Sequence, residues 1–444
     1  MNDKINIRKY LTIICVCFFV TIGLLAIIGT KSDPLLALLS ESIIFAIVTI
    51  LMAYLIFHSK QFVGFYLLAY IVKLLVGIIH YLVFIDADYF ASSGHSLKLH
   101  HEYQAVQQTI EMIVDGKQIA GVFSFIFPQY IPHEELWNII TVPFYYTGTY
   151  LLNIVPINAF ASLFAAMNVL LVDKCVRGKG YKQSKFLRFL VTYFPVTLIT
   201  SYYSRDMMGL CLMSVGLVLL SLSKNILQKV LMLVVTCYLF YLQRNAYVLV
   251  PIIMFLSDYL IKVNKNNILI KIIAVLVCVV AVPFAYELFE TESTLKYVSE
   301  STKWPIFMLP FKLIVGLIGP FPWSNILKWH TFPEVSYYLG DYFMAVINIG
   351  LLITAIRAVP VEKFKHTIDM SFISGVMLFI FGLMNEFMHM SYISVGIYFL
   401  LPWFFRIFRD VDIKNNIKIS FLFLVLLNIF IILTGVSGLA SGVK

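Results

Sequence analysis

Stretches of roughly 20 apolar residues recur along the whole of this chain, each long enough to cross a hydrocarbon layer about 30 Å thick. Lipid offers the backbone no hydrogen-bond partner, so such segments cross it as helices or as closed barrels. The period-two alternation of a barrel strand is absent. Composition agrees: the 444 residues are 60% hydrophobic and 13% charged, with a mean hydropathy of +0.88. Soluble domains carry about 25% charged residues. The reading is an all-α, polytopic transmembrane helical bundle, one integral membrane domain over 1–444.

About 13 spans are expected. They run roughly over 9–29, 37–57, 62–85, 156–173, 186–203, 207–223, 228–242, 246–261, 268–286, 340–357, 369–388, 390–407 and 418–437. Charge sets their orientation. With the N-terminus in the cytoplasm, "CVRGKGYKQSK", "SKNILQK", "IKVNKNNILIK" and "RAVPVEKFK" all fall inside, as the positive-inside rule requires. The net charge of +9 is therefore topological, and no nucleic-acid partner is implied. The opening "MNDKINIRKYLTIICVCFFVTIGLLAIIGTK" has a basic flank like a signal peptide. Its apolar run is too long for one, and no small-x-small cleavage site follows cleanly, so we read it as a retained first span. The six cysteines sit in apolar spans or in a basic loop, which implies no disulfide framework.

The same topology leaves two long segments outside, 86–155 and 287–339. The first holds "YQAVQQTIEMIVDGK", with Ala105, Ile110 and Ile113 or Val114 on one helical side. It also holds "ELWNIITVPFYYTGTYLLNIVP", interrupted by Pro143 and Gly148. The second holds "KWPIFMLPFKLIVGLIGPFPWSNILKW", broken by prolines. Counting either as one more span breaks the charge parity. Interfacial or re-entrant helices fit better, and non-helical backbone at that depth needs protein or a watery cavity around it.

Candidate chemistry gathers on the outer side. Asp86 and Asp88, in "DADYF", follow the third span; a carboxylate there can take a proton from an acceptor hydroxyl, and acids also simply cap and solubilise helix ends. His100, His101 and Glu102 come next. Carboxylate and imidazole could hold a divalent cation, but no spacing matches a metal motif, and no cofactor or resident metal is read. "SYYSRDMM" puts Arg205 and Asp206, and "YLQRNAY" puts Arg244, at short outer turns, against the positive-inside bias. A guanidinium at that depth can bind phosphate with a bidentate fork, or snorkel to lipid, or pair locally. Lys303 and Lys328, with Lys312, extend the positive lining; Glu386 and His389 stand near the outer end of span eleven. Glu41 and Lys73 fall inside spans, at depths that differ by about 12 Å at 1.5 Å per residue.

The order of these features resembles the multi-spanning envelope glycosyltransferases of GT-C type and the bacterial polysaccharide polymerases near them. "DADYF" looks like that group's acidic motif after an early span, and "YQAVQQTIEMIVDGK" is similar to its "Y…A…G" helix. "ITVPFYYTGTYLLNIVPINAFASLFAAMNVLL" resembles the "P-Y…G…N" passage, "SRDMMGLCLMSVGLVLL" the Ser-Arg-Asp entry to a span, and "GPFPW" a later Pro-rich loop. Two extra spans precede the acidic loop where one is usual, and the late "G…RY…P" passage stands as "SVGIYFLLPWFF", without arginine.

The resemblance implies sugar transfer from a polyprenyl-phosphate or diphosphate carrier to a glycan acceptor, at the outer face of a bacterial cytoplasmic membrane. Asp86 or Asp88, with Asp88 preferred, would deprotonate the acceptor as the anomeric carbon becomes oxocarbenium-like. Arg205 and Arg244 would stabilise the departing phosphate. The partners are then the lipid-linked donor, the acceptor and membrane lipids. The rival expectation is a flippase of lipid-linked oligosaccharides, which Lys73 and Glu41 favour, although no internal repeat is visible.

Overall fold

The computed structural model describes residues 5–28, 34–85, 154–178, 181–195, 205–241, 245–263, 273, 332–358, 369–384 and 390–434. Among them there are helices and short connections and no strand. In chain order the helices are α1 (Ile7–Ile28), α2 (Pro34–Phe57), α3 (Lys60–Ile85), α4 (Ile154–Arg177), α5 (Lys185–Thr192) and α6 (Arg205–Leu222). They continue as α7 (Ile226–Tyr241), α8 (Leu249–Val263, after a 3-10 turn over Asn245–Val248), α9 (Phe332–Ala358), α10 (Met370–Met384), α11 (Met390–Ile407) and α12 (Asp410–Thr434). The described residues are all-helical, and five of these helices are long and apolar enough to cross a membrane.

The apolar runs locate most of these helices within a few residues, whereas α9 and α12 begin well ahead of theirs. α2 opens on Pro34, which suits the first helical position because its missing N–H has no intrahelical partner there. α12 starts at Asp410, ahead of the apolar run, with Asp410 and Asp412 in its first turn, where the helix dipole favours acids. The run expected over 186–203 opens as the eight-residue α5, capped at Tyr193, whose N–H reaches Phe189 O. Pro195 follows two residues later and cannot continue the helical hydrogen-bond ladder. The expected span 268–286, apart from residue 273, and the segments 86–153 and 287–331 lie outside the described residues.

The chain divides into two compact units. The first comprises Met1–Val176 and Thr197–Asn245. Its α1 packs on α2, α2 on α3, and α6 on α7. The α2–α3 connection is only His58 and Ser59; His58 takes the left-handed φ of 50° and donates its N–H to Tyr54 O at 2.8 Å. Phe57 stacks on Phe62 and Tyr66 across this turn. Lys9 Nζ lies 2.8 Å from His58 Nε2, so the start of α1 and the α2–α3 turn share one end of the unit.

α4 is the most enclosed of this unit's long helices. Its span is 94% buried, against 28% for α1 and α3, which turn most of their apolar surface outward. Apolar residues all round such a helix leave no lipid-facing stripe to define, which fits a buried position.

The second unit comprises Arg177–Val196 and Ala246–Lys444. Here α10 packs on α11, α9 on α12, α8 on α10, and α5 and α9 on α11. Glycines set the closest approaches. A Cβ on Gly396 would stand 2.3 Å from Phe379 N, and one on Gly350 would stand 2.8 Å from Ile417 Cα. In the absence of a strong hydrophobic drive between helices, close backbone approach is a main source of membrane-helix affinity. One consequence is a ranking: Gly350→Ala lowers thermal stability more than Gly216→Ala does. The new methyl at 350 meets the Ile417 backbone, while at 216 it meets the end of the Thr236 side chain. Thermal melts of the purified variants in lipid nanodiscs check this order.

Candidate functional site

Asp86, Asp88, His100, His101, Glu102, Arg244, Lys303, Lys328, Glu386 and His389 lie outside the described residues. Their attachment points are partly fixed: Asp86 directly follows Ile85, the last residue of α3. Arg205 and Asp206 are the first two residues of α6, not part of the turn before it. The N-terminal turn of a helix presents unpaired N–H groups and the positive end of the dipole, a setting that favours anions.

α6 is held from two sides. Asn168 of α4 donates through Nδ2 to Ser214 Oγ at 3.0 Å and accepts through Oδ1 from the Tyr10 hydroxyl at 2.8 Å. Ser214 in turn donates to Cys211 O at 2.6 Å. Two residues on, Gly216 O accepts from Thr236 Oγ1 of α7 at 3.1 Å. At about 100° per residue, Ser214 and Gly216 face nearly opposite directions, so α6 is gripped between α4 and α7. Tyr10, Asn168 and Ser214 are each fully buried. Sequence reasoning did not single out these three; the one local signal was an asparagine inside the apolar run "FAAMNVLL".

Glu41 and Lys73 are buried at 1% and 0% exposure in the bodies of α2 and α3. The two-residue turn sets their register. Glu41 stands roughly 24 Å above it and Lys73 roughly 20 Å, a difference of about 4 Å along the hairpin. That is less than the 12 Å or so expected from hydropathy, which carries no register information. Tyr70, one turn before Lys73, lies within electrostatic reach of Glu41 and close to Ser42. A carboxylate and an amine inside a membrane helix hairpin are costly and suggest function.

In the second unit several polar contacts lie near helix ends. Arg406 pairs with Asp369, whose Oδ1 also accepts from Phe372 N at 3.1 Å. Ser184 caps α5 by accepting from Phe186 N and Leu187 N, and donates to Asp410. Arg357 donates to Asn416 Oδ1 at 3.2 Å, and Asn416 Nδ2 donates to Thr354 Oγ1 at 2.9 Å. Cys15, Cys17, Cys175, Cys211 and Cys237 are free thiols. Among the described residues no three His, Cys, Asp or Glu side chains are grouped to hold a metal ion. Comparison with protein-family models, with curated proteins and with solved structures gave no match.

Proposed function

We propose that the protein is a membrane glycosyltransferase or polysaccharide polymerase. It transfers a sugar from a polyprenyl-phosphate or diphosphate carrier at the outer face of a bacterial cytoplasmic membrane, with its N-terminus in the cytoplasm. In this reading about 13 spans carry two outer-face segments, 86–155 and 287–339. The observation that carries it is the position of Arg205 and Asp206. They open a helix that is enclosed along most of its length, so a phosphate would meet both an arginine and a helix N-terminus held in one place. Asp86 and Asp88 continue from α3 of the same unit.

The chemistry balances with these residues. Asp88, or Asp86, accepts the proton of the acceptor hydroxyl; that oxygen bonds the anomeric carbon as the bond to the carrier phosphate oxygen breaks. The carrier leaves as phosphate or diphosphate, its new charge met by Arg205 and Arg244, with Lys303 and Lys328 adding positive potential. His100, His101, Glu102, Glu386 and His389 are assigned to substrate binding by residue type and place in the chain. Asp88→Asn and Arg244→Ala, compared with the parent at matched membrane levels, each lower sugar transfer by about 100-fold or more. The readout is surface glycan together with the pool and sidedness of lipid-linked precursor. Unchanged glycan in both variants sinks the assignment.

A second reading, a flippase of lipid-linked oligosaccharide, draws on Glu41 and Lys73 buried in the bodies of α2 and α3. It requires that Glu41→Gln or Lys73→Met trap precursor on the inner leaflet. Under the transferase reading, precursor in Asp88→Asn cells accumulates on the outer leaflet.

A further inference from the structure

We propose that Asn168 is a positioning residue, setting the register of α6 and therefore the place of Arg205 and Asp206. The argument begins with the hydrogen-bond arithmetic of three fully buried side chains. Ser214 has one proton, and it goes to Cys211 O at 2.6 Å. Its oxygen can then only accept, so the Asn168 atom 3.0 Å away must be the amide nitrogen. That leaves Oδ1 facing the Tyr10 hydroxyl, which must donate, as the 2.8 Å contact records. In this arrangement each of the three side chains has a partner.

This chain of bonds joins α1, α4 and α6, and its geometry resists both sliding and rotation of α6. Sliding α6 by one residue moves Ser214 about 1.5 Å along the axis and turns it by about 100°, breaking its bond to Asn168. On the opposite side Gly216 admits Thr236 so closely that a methyl at 216 would stand 2.7 Å from Thr236 Cγ2. That contact and the Thr236–Gly216 O hydrogen bond hold α6 against α7, and the directional bond to Asn168 fixes its other side. Arg205 lies nine residues before Ser214, about 14 Å along α6, so a change of register at Ser214 is carried rigidly to the first turn. The functional importance of that turn rests on the reading given above; the effect on α6 itself does not.

The test separates register from simple burial. Asn168→Leu leaves the Tyr10 and Ser214 hydroxyls facing an apolar side chain and destabilises the unit. The triple variant Tyr10→Phe/Asn168→Leu/Ser214→Ala replaces all three polar groups by apolar ones, which is close to neutral for stability. In lipid nanodiscs the triple variant is expected to melt near the parent protein. Its backbone amides over 205–210 exchange with deuterium about 10-fold faster, while those of α7 are unchanged. Its sugar-transfer rate falls by about 10- to 100-fold, the scale of a misplaced catalytic geometry. Parent-like exchange over 205–210 in the triple variant overturns the proposal and reduces the three residues to a buried polar filler. If Arg205→Ala leaves transfer intact, the functional reading fails, and the exchange measurement still decides the role of Asn168.

Discussion

Gly396→Val prevents accumulation of folded protein, and Gly396→Ala lowers stability by about 3 kcal/mol or more, the upper end of what an overpacked contact costs. The reason is what the new atom meets. A Cβ at 396 stands 2.3 Å from Phe379 N, 2.4 Å from Phe379 Cα and 2.6 Å from Phe379 Cβ. Backbone cannot step aside as a side-chain tip can, so α10 and α11 must separate. They meet again at Gly375, where a Cβ would be 2.7 Å from Leu400 Cγ and 3.1 Å from Gly396 O. Separation at one glycine therefore loosens the other, and with it the tilted Phe372–Trp403 ring contact at 4.6 Å. Gly23→Ala and Gly64→Ala are the matched controls, since a Cβ at either finds nothing within 4 Å. Both should accumulate and melt like the parent, or slightly better, because alanine restricts the unfolded chain more than glycine does. Detergent-solubilised fluorescence chromatography and nanodisc melts of these variants give the comparison. Equal behaviour of Gly396→Ala and Gly64→Ala would show that the α10–α11 seam is not tight.

The second large effect is expected at the Arg406–Asp369 pair. The side chains are 7% and 17% exposed, so removal of either partner strands a charge with little water to receive it. Asp369→Ala should cost about 3–5 kcal/mol, the usual result of breaking a buried pair from one side. It also removes the acceptor for Phe372 N at the start of α10, an N-cap interaction that adds to the loss. Asp369→Asn keeps a cap acceptor and therefore loses less. Asp369→Asn/Arg406→Leu removes both charges and should regain most of the stability, because replacing a buried pair with neutral groups is often close to neutral. The Arg409–Asp412 pair supplies the contrast. Arg409 is 83% exposed, and Arg409→Ala should change the melt by little, in keeping with exposed ion pairs generally. A thermal series on the four variants decides. If the double variant is no more stable than Asp369→Asn, the two charges are not coupled.

How much of this was legible in the sequence depends on the range of the interaction. Hydropathy is local, and it located the helices: α3 ends where its apolar run does, and α11 both starts and ends there. It missed polar helical turns, as at Asp410–Asp412 and over Phe332–Gly340, where helix continues outside the apolar stretch. It could not give the α2–α3 register, which depends on a turn of two residues and a left-handed His58. Partners distant in sequence left no local trace. Tyr10 and Asn168 are 158 positions apart and Ser214 a further 46, and nothing near any of them names the others. Glycine seams have the same character: Gly375 and Gly396 read as small residues until their neighbours are known. The proposed outer-side site was an expectation built on residue types and their order. Of it, the described residues place Arg205 and Asp206, at the head of α6.

The Lys9–His58 contact bears on how the chain is made. It closes over 49 positions, while the bond from Tyr10 to Asn168 spans 158. During synthesis the first three helices can settle against each other as soon as α3 has left the ribosome, since their defining contacts are short-range in sequence. Tyr10 must then wait, its hydroxyl without Asn168, until α4 inserts; Asn168 waits in turn for α6. Assembly of the first unit is thus staged, with an early apolar scaffold of three helices and a later polar closure. The interval between them is when a chaperone or insertase would find a buried hydroxyl still seeking its acceptor.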